Sequence, residues 1–297
     1  MNVLQSVFLT LAALTLIGDA LAQAPAPVDY TKVQIETVKL APNFYVLNGQ
    51  GGAIGVLTGP DGVLMVDSQF APLTEKIVAA VKQVSNTPIK FLINTHVHPD
   101  HTGGNENLGK MGVTIFAREE LRNRLAHPAT GNPSPAAALP VITYSGPLTF
   151  HMDGEDVQAI PIPKAHTDGD TLVRFSNANV IMIGDYFRSL GYPNIDRANG
   201  GSLPGMLAGI DTAIKLCDAN TKVVPGHGAI TDRNGLMAHR DMIIAIRDKV
   251  APMVAQGKTK EEVLASKPTA DYDAKVPGGA TTIDRFVGQV YDELKAR

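Results

Sequence analysis

The chain has 297 residues, a formal net charge of −3 and 44% hydrophobic residues, enough apolar material for a sizeable core. No basic run stands out along it, so the electrostatic footprint of a nucleic-acid binder is missing, and the single cysteine, Cys217, excludes an internal disulfide. Cys217 follows Ile214-Lys215-Leu216 near the end of a predicted helix and reads as a small buried hydrophobe.

Residues 1–22 read as a signal peptide: an apolar run at 7–17 is followed by Ala20-Leu21-Ala22, a small-x-small cleavage pattern. The run is short for a transmembrane helix. No Lys or Arg precedes it, so a retained N-terminal anchor is the alternative. Cleavage would start the mature chain at Gln23 and place it in the periplasm or outside the cell, with no stable membrane insertion expected.

Strand-like runs come next: 44–47, then 53–57, a Gly-Pro-Asp-Gly turn at 59–62, and 63–67, a hairpin ending in Asp67. A helix is predicted at about 72–85, with Leu73, Ile77, Val81 and Val84 on one side. A buried strand at 89–94 delivers Thr95-His96. A helix near 103–110, a strand at 113–116 and a charged helix at 118–126 follow, and 127–147, rich in Pro, Ala and Gly, reads as a long surface loop. The second half echoes the first: strands at 171–175 and 180–185 form a hairpin ending in Asp185. A helix at 203–217 leads to a strand at 221–225 and then to Gly226-His227-Gly228. Helices near 234–256, 259–266 and 282–296 close the chain. Two strand-rich halves with interspersed helices predict two packed sheets with helices outside, and residues 23–297 are read as a single domain.

Five of the eight histidines fall in three glycine- or proline-rich patches beside predicted strand ends. The first, 95–104, packs His96, His98, Asp100 and His101 into six residues. Pro99 disfavours helical geometry at His98, so this segment is expected to be an irregular loop. Three imidazoles beside a carboxylate suit zinc. The second patch holds His166 and the third His227. Asp185 ends a very apolar strand, where an acid needs a partner or a metal to offset desolvation. His127, His151 and His239 belong to no motif and read as ordinary surface or loop residues.

These residues resemble the metallo-β-lactamase superfamily, whose ligand pattern His-x-His-x-Asp-His…His…Asp…His stands here in order across about residues 40–230. The resemblance implies an α/β fold of four layers, an αβ/βα sandwich with the metals at one edge of the two sheets. It implies two zinc ions per chain, with iron as the alternative. His96, His98 and His166 would bind the first, Asp100, His101 and His227 the second, and Asp185 both. Asp67 resembles the acid that braces the ligand loop. A zinc-bound water has a pKa of roughly 7, so no separate strong base is needed, and Asp100 would orient the water and shuttle a proton.

The implied activity is hydrolysis of a small carbonyl substrate. Zinc β-lactamases of the best-known subgroup carry a cysteine where Asp185 stands and often a lysine where Arg188 stands. Lactonases, phosphodiesterases and glyoxalase II-like thioesterases more often carry the aspartate. An exported chain favours β-lactams, with lactone, ester or thioester cleavage as alternatives. Arg188 and Asn194, in the segment after Asp185, are the candidate substrate contacts. A different class, the persulfide dioxygenases, uses two histidines and an aspartate for one iron, which His96, His166 and Asp185 could supply. A catalytically idle metal-binding protein is the third class.

Overall fold

Twelve strands and eight α-helices follow one another in the computed structural model, which describes residues 28–296. The predicted signal peptide and the Gln23 start lie outside the described residues. The strands are β1 (Glu36–Ala41), β2 (Phe44–Asn48), β3 (Ile54–Leu57), β4 (Val63–Val66), β5 (Ile89–Ile93), β6 (Thr114–Arg118), β7 (Ile142–Tyr144), β8 (Leu148–Met152), β9 (Glu155–Pro161), β10 (Thr171–Phe175), β11 (Val180–Met182) and β12 (Lys222–Val224). The helices are α1 (Thr74–Val84), α2 (Pro99–Thr102), α3 (Asn105–Lys110), α4 (Glu119–Ala126), α5 (Leu203–Leu216), α6 (Arg233–Ala255), α7 (Lys260–Ala265) and α8 (Ile283–Lys295).

One sheet has the order β1-β2-β3-β4-β5-β6-β7 and the other β12-β11-β10-β9-β8. Strand neighbours are antiparallel from β1 to β4 and from β8 to β11. They are parallel from β4 through β7 and between β11 and β12. Side chains alternate across each sheet, as the two-residue period of a strand requires. On β4, Leu64 and Val66 face the second sheet, whereas Val63 and Met65 face α1 and α3. On β11, Val180 and Met182 face the first sheet, and Ile181 turns to the layer formed by α5, α6, α7 and α8. Helix, sheet, sheet and helix therefore stack in four layers, the αβ/βα sandwich expected. Phe44 and Phe175 meet across the inter-sheet core with centroids 4.3 Å apart.

Two expectations change. The stretch 127–147 is not structureless: it holds a 3-10 turn at Ala136–Ala138 and the short edge strand β7, which Val141, Ile142 and Thr143 favour. The histidine-rich segment is not wholly irregular either. His98 is extended, as a residue before proline should be, but Pro99 opens the helical turn α2, a first position for which its fixed φ suits it. No helix among the described residues is long and apolar enough to cross a membrane.

Candidate metal centre

Strand ends deliver most of the site. β4 runs into Asp67, β5 into Asn94-Thr95-His96, β11 through Ile183 into Gly184-Asp185, and β12 into Pro225-Gly226-His227. β4 and β5, like β11 and β12, are parallel pairs, so each pair presents its carboxyl ends together, the side of such sheets where ligands bind. The turn after β9 supplies His166.

These segments bring together all seven predicted ligands. His96, His98, His166 and Asp185 each place one donor atom within 4.8 Å of the others, and so do Asp100, His101 and His227. Asp185 stands between the two sets: its Oδ1 is 3.2 Å from His101 Nε2, and its Oδ2 is 3.3 Å from His227 Nε2 and 3.9 Å from His166 Nε2. His96, His101, His166 and Asp185 are buried. The side chains of His98, Asp100 and His227 are 21%, 23% and 17% exposed and mark the open side. His96 Nε2, His101 Nε2 and Asp185 Oδ1 are buried without a hydrogen-bond partner. Orphaned polar atoms are costly, and one in each donor set, with an Asp185 oxygen beside them, fits cations held there. The cluster is able to hold metal ions.

His98, His101 and His166 are each aimed by a ring nitrogen hydrogen-bonded to a fixed acceptor, the arrangement that fixes tautomer and orientation in a ligating imidazole. His101 Nδ1 lies 2.7 Å from Asp67 Oδ2. Asp67 also accepts from Thr95 N at 2.7 Å and Thr95 Oγ1 at 2.6 Å, which is the bracing role expected of it. His166 Nδ1 donates to the Asn194 carbonyl, and His98 Nε2 to Asp196 Oδ2, both at 2.7 Å. Underneath, Ser68, Asn94 and Asn105 form a buried hydrogen-bonded set that also holds the His101 carbonyl. None of Ser68, Asn94, Asn105 or Asp196 was read as a site residue, because no motif marks them.

The charge pattern differs between the two donor sets. Burial and the neighbouring imidazoles hold His96 well below the ordinary histidine range, and burial brings His166 down to about 4. Both stay neutral, as a metal ligand must. Burial works against charge on His101 too, but the Asp67 and Asp185 carboxylates outweigh it and hold its pKa well up. Burial would raise Asp185 as well. His101 and His227 reverse this and keep it an anion.

The C-terminal helix α8 reaches the site indirectly. Gln289 donates to Asn194 Oδ1 at 2.8 Å and accepts from Ile195 N at 2.9 Å, and Thr282 Oγ1 accepts from Tyr192 N at 2.7 Å. The segment so held carries both the acceptor for His166 and the acceptor for His98. Gln289→Leu is therefore expected to weaken metal affinity about 10- to 100-fold, the usual cost of losing such support. Competition with a chelator measures it, and unchanged affinity would separate α8 from the site.

Two sequence expectations need correction, those for Asn194 and His239. Asn194 was taken as a substrate contact, but its side chain is held by Gln289 and its carbonyl by His166, so it acts as a brace. Arg188, the other candidate substrate contact, stands outside the two donor sets, as that reading has it. It lines a neighbouring cavity, with its Nε buried and unpaired. His239 is neither a surface nor a loop residue: it sits on α6, edge-on to Phe187 at 4.7 Å, with a buried, unpaired Nε2. His127 and His151 are exposed as expected. Cys217 is buried as expected, and burial pushes its thiol up to about 11.

A four-layer sandwich carrying two His/Asp donor sets at the strand ends defines a metal-binding protein of the αβ/βα class. The family model described as the metallo-beta-lactamase superfamily matches residues 47–235, and the chain belongs to that superfamily. It is 24% identical over 185 residues to the metallo-beta-lactamase type 2 of Bacillus cereus, covering 62% of this chain and 69% of that one. With a linear primary-alkylsulfatase of a Pseudomonas species it shares 27% identity over 130 residues, 40% of this chain but only 24% of the relative. Among solved structures, a metallo-beta-lactamase from Pontibacter korlensis superimposes with a TM-score of 0.58 at 20% identity, over 71% of this chain and 99% of its own. A stereoselective inverting sec-alkylsulfatase from a Pseudomonas species gives 0.65 at 17% identity, over 88% of this chain and 50% of its own. These likenesses establish the fold.

Proposed function

We propose that the chain is an exported dizinc hydrolase that activates water against a small anionic substrate, with penicillin-type β-lactams as the specific substrate and slower lactone or ester cleavage beside them. The observation that carries this reading is the pair of complete donor sets with the buried Asp185 carboxylate between them. Bound zinc would supply Lewis acidity and bring the pKa of water down to about 7. His96, His98 and His166 would hold one ion, Asp100, His101 and His227 the other, and Asp185 both.

The remaining roles belong to the chain. Asp100 is partly exposed, with Oδ2 3.0 Å from His227 Nε2. Burial would raise its pKa, but the hydrogen bond from His227 and the nearby His101 lower it. It stays an anion that can orient a water molecule and take its proton. The buried imidazoles exclude bulk solvent on one side and leave the approach between His98, Asp100 and His227.

The β-lactam reading is supported by the Bacillus cereus relative, by the expected export and by a cation, Arg188, available to a substrate carboxylate. The alkylsulfatase likenesses favour a second reading, hydrolysis of a sulfate ester, which also presents an anion. Initial rates on a penicillin, an uncharged lactone and an alkyl sulfate decide between them, using secreted protein whose first residue is expected to be Gln23. Arg188→Ala should raise KM for the penicillin about tenfold or more and leave the lactone unchanged, as loss of a charge-assisted contact would. Penicillin turnover no faster than with free zinc would reject the β-lactam reading. Efficient cleavage of the sulfate alone would establish the second.

A further inference from the structure

The second donor set, Asp100, His101 and His227, comes from two segments, and both rest on a third, the connection between β2 and β3 at residues 49–53. Gly52 N donates to the Asp100 carbonyl at 3.1 Å, and Ala53 N to the Gly226 carbonyl at 2.9 Å. Gly52 also lies against the His101 ring. A Cβ built there would stand 2.1 Å from Cε1 and 2.4 Å from Nε2, the buried nitrogen that has no hydrogen-bond partner. Only a residue without a side chain permits that approach. Among the described residues, no hydrogen bond joins this connection to His96, His98 or His166.

One side chain fastens the connection in place. Gln69 is fully buried, and its Nε2 donates to the Gly52 carbonyl at 2.7 Å. Two unfavourable features meet at this residue. Its φ is 50°, in the left-handed region that a residue with a Cβ seldom adopts, and Asp67 two positions earlier has a φ of 63°. Its Oε1 is buried without a hydrogen-bond partner, which costs about 1–3 kcal/mol. Such strain persists where the surroundings over-determine it, and it clusters at functional sites. The surroundings here are built around His101. Asp67 holds its Nδ1, Ser68 N and Oγ donate to its carbonyl, and Gln69, through Gly52, closes the side at Cε1 and Nε2.

We propose that Gln69 is a positioning residue for the second metal site. Its carboxamide clamps the 49–53 connection onto His101 and so sets the affinity of Asp100, His101 and His227 for their ion, leaving the first donor set alone. The role rests on the reading of the two donor sets as two metal sites. Gln69 touches neither ion nor substrate; it acts through Gly52 and His101.

Metal binding tests this apart from turnover. The proteins compared are the zinc-loaded full chain, Gln69→Met and Gln69→Gly. Methionine keeps the length of the side chain, glycine suits the left-handed backbone, and both lack the amide. Competition with a chelator gives the two successive affinities, and a thermal melt serves as the control for folding. Each variant should lose about 10- to 100-fold in affinity for one ion, the usual loss for such a support, and hold the other as tightly as wild type. Adding His98→Ala to Gln69→Met should release the remaining ion, whereas adding His227→Ala should not. The reverse pattern overturns the proposal, as does equal weakening of both ions, which is what a general loosening of the fold gives. Wild-type affinities in Gln69→Gly would assign the effect to the backbone and overturn it as well. A wild-type chain that takes up a single ion overturns the two-site reading and this role with it. Two ions in wild type, held unchanged in Gln69→Met, overturn the role of Gln69 alone.

Discussion

Asp185→Asn should reduce hydrolysis about a thousandfold while leaving the fold intact. The Asp185 side chain is 5% exposed and its two oxygens lie within 3.3 Å of imidazole nitrogens from His101 and His227. Asparagine keeps the shape but removes the charge that two cations would share. A Lewis-acidic metal provides several kcal/mol of charge stabilisation in the transition state, and about 4 kcal/mol is a thousandfold in rate. The amide also places an N–H where a cation would be. Steady-state kcat/KM, with a thermal melt as the control for folding, checks this. Wild-type activity in the variant would remove Asp185 from the chemistry.

Gly226→Ala is expected to cost at least about a hundredfold in activity, although it adds only one methyl group to a residue that binds nothing. A Cβ built at Gly226 would stand 1.9 Å from Asp185 Oδ1 and 2.8 Å from the backbone carbon of Gly184. Either the carboxylate or the backbone beneath it must move, and displacement of about 1 Å at a reacting centre costs on the order of a hundredfold. Gly146→Ala serves as the control, because a Cβ there meets nothing within 4 Å. Equal activity in the two variants would show that the position of Asp185 is not critical.

The site was legible in the sequence where chemistry is concentrated locally. His96, His98, Asp100 and His101 fall within one short segment, and Asp67 and Asp185 end strands too apolar to tolerate an unpartnered acid. The residues that aim them were not legible, because their partners are remote in sequence. The bond from His98 to Asp196 spans 98 positions and that from Gln289 to Asn194 spans 95. No local pattern separates such an Asn or Gln from a surface one, and Asn194 was accordingly taken for a substrate contact. His239 was misread for the same reason: only the packing of α6 under Phe187 buries its Nε2. In the fold, the apolar strands β3, β4, β5, β10 and β11 announced themselves. β1, β8 and β9 did not, because exposed polar residues such as Glu36, His151 and Asp156 interrupt their apolar pattern. Strand pairing, not hydrophobicity, makes them strands.

The central claim is that two separate donor sets share one buried carboxylate, and metal stoichiometry tests it most directly. Metal content per chain is measured by mass spectrometry on protein stripped with chelator and reloaded with zinc. The two donor sets predict two zinc ions in the wild type and fewer than one firmly bound in a His96→Ala, His98→Ala double variant that has lost its activity. A wild-type chain that saturates at one ion, or a double variant that keeps both ions and full activity, would contradict the assignment.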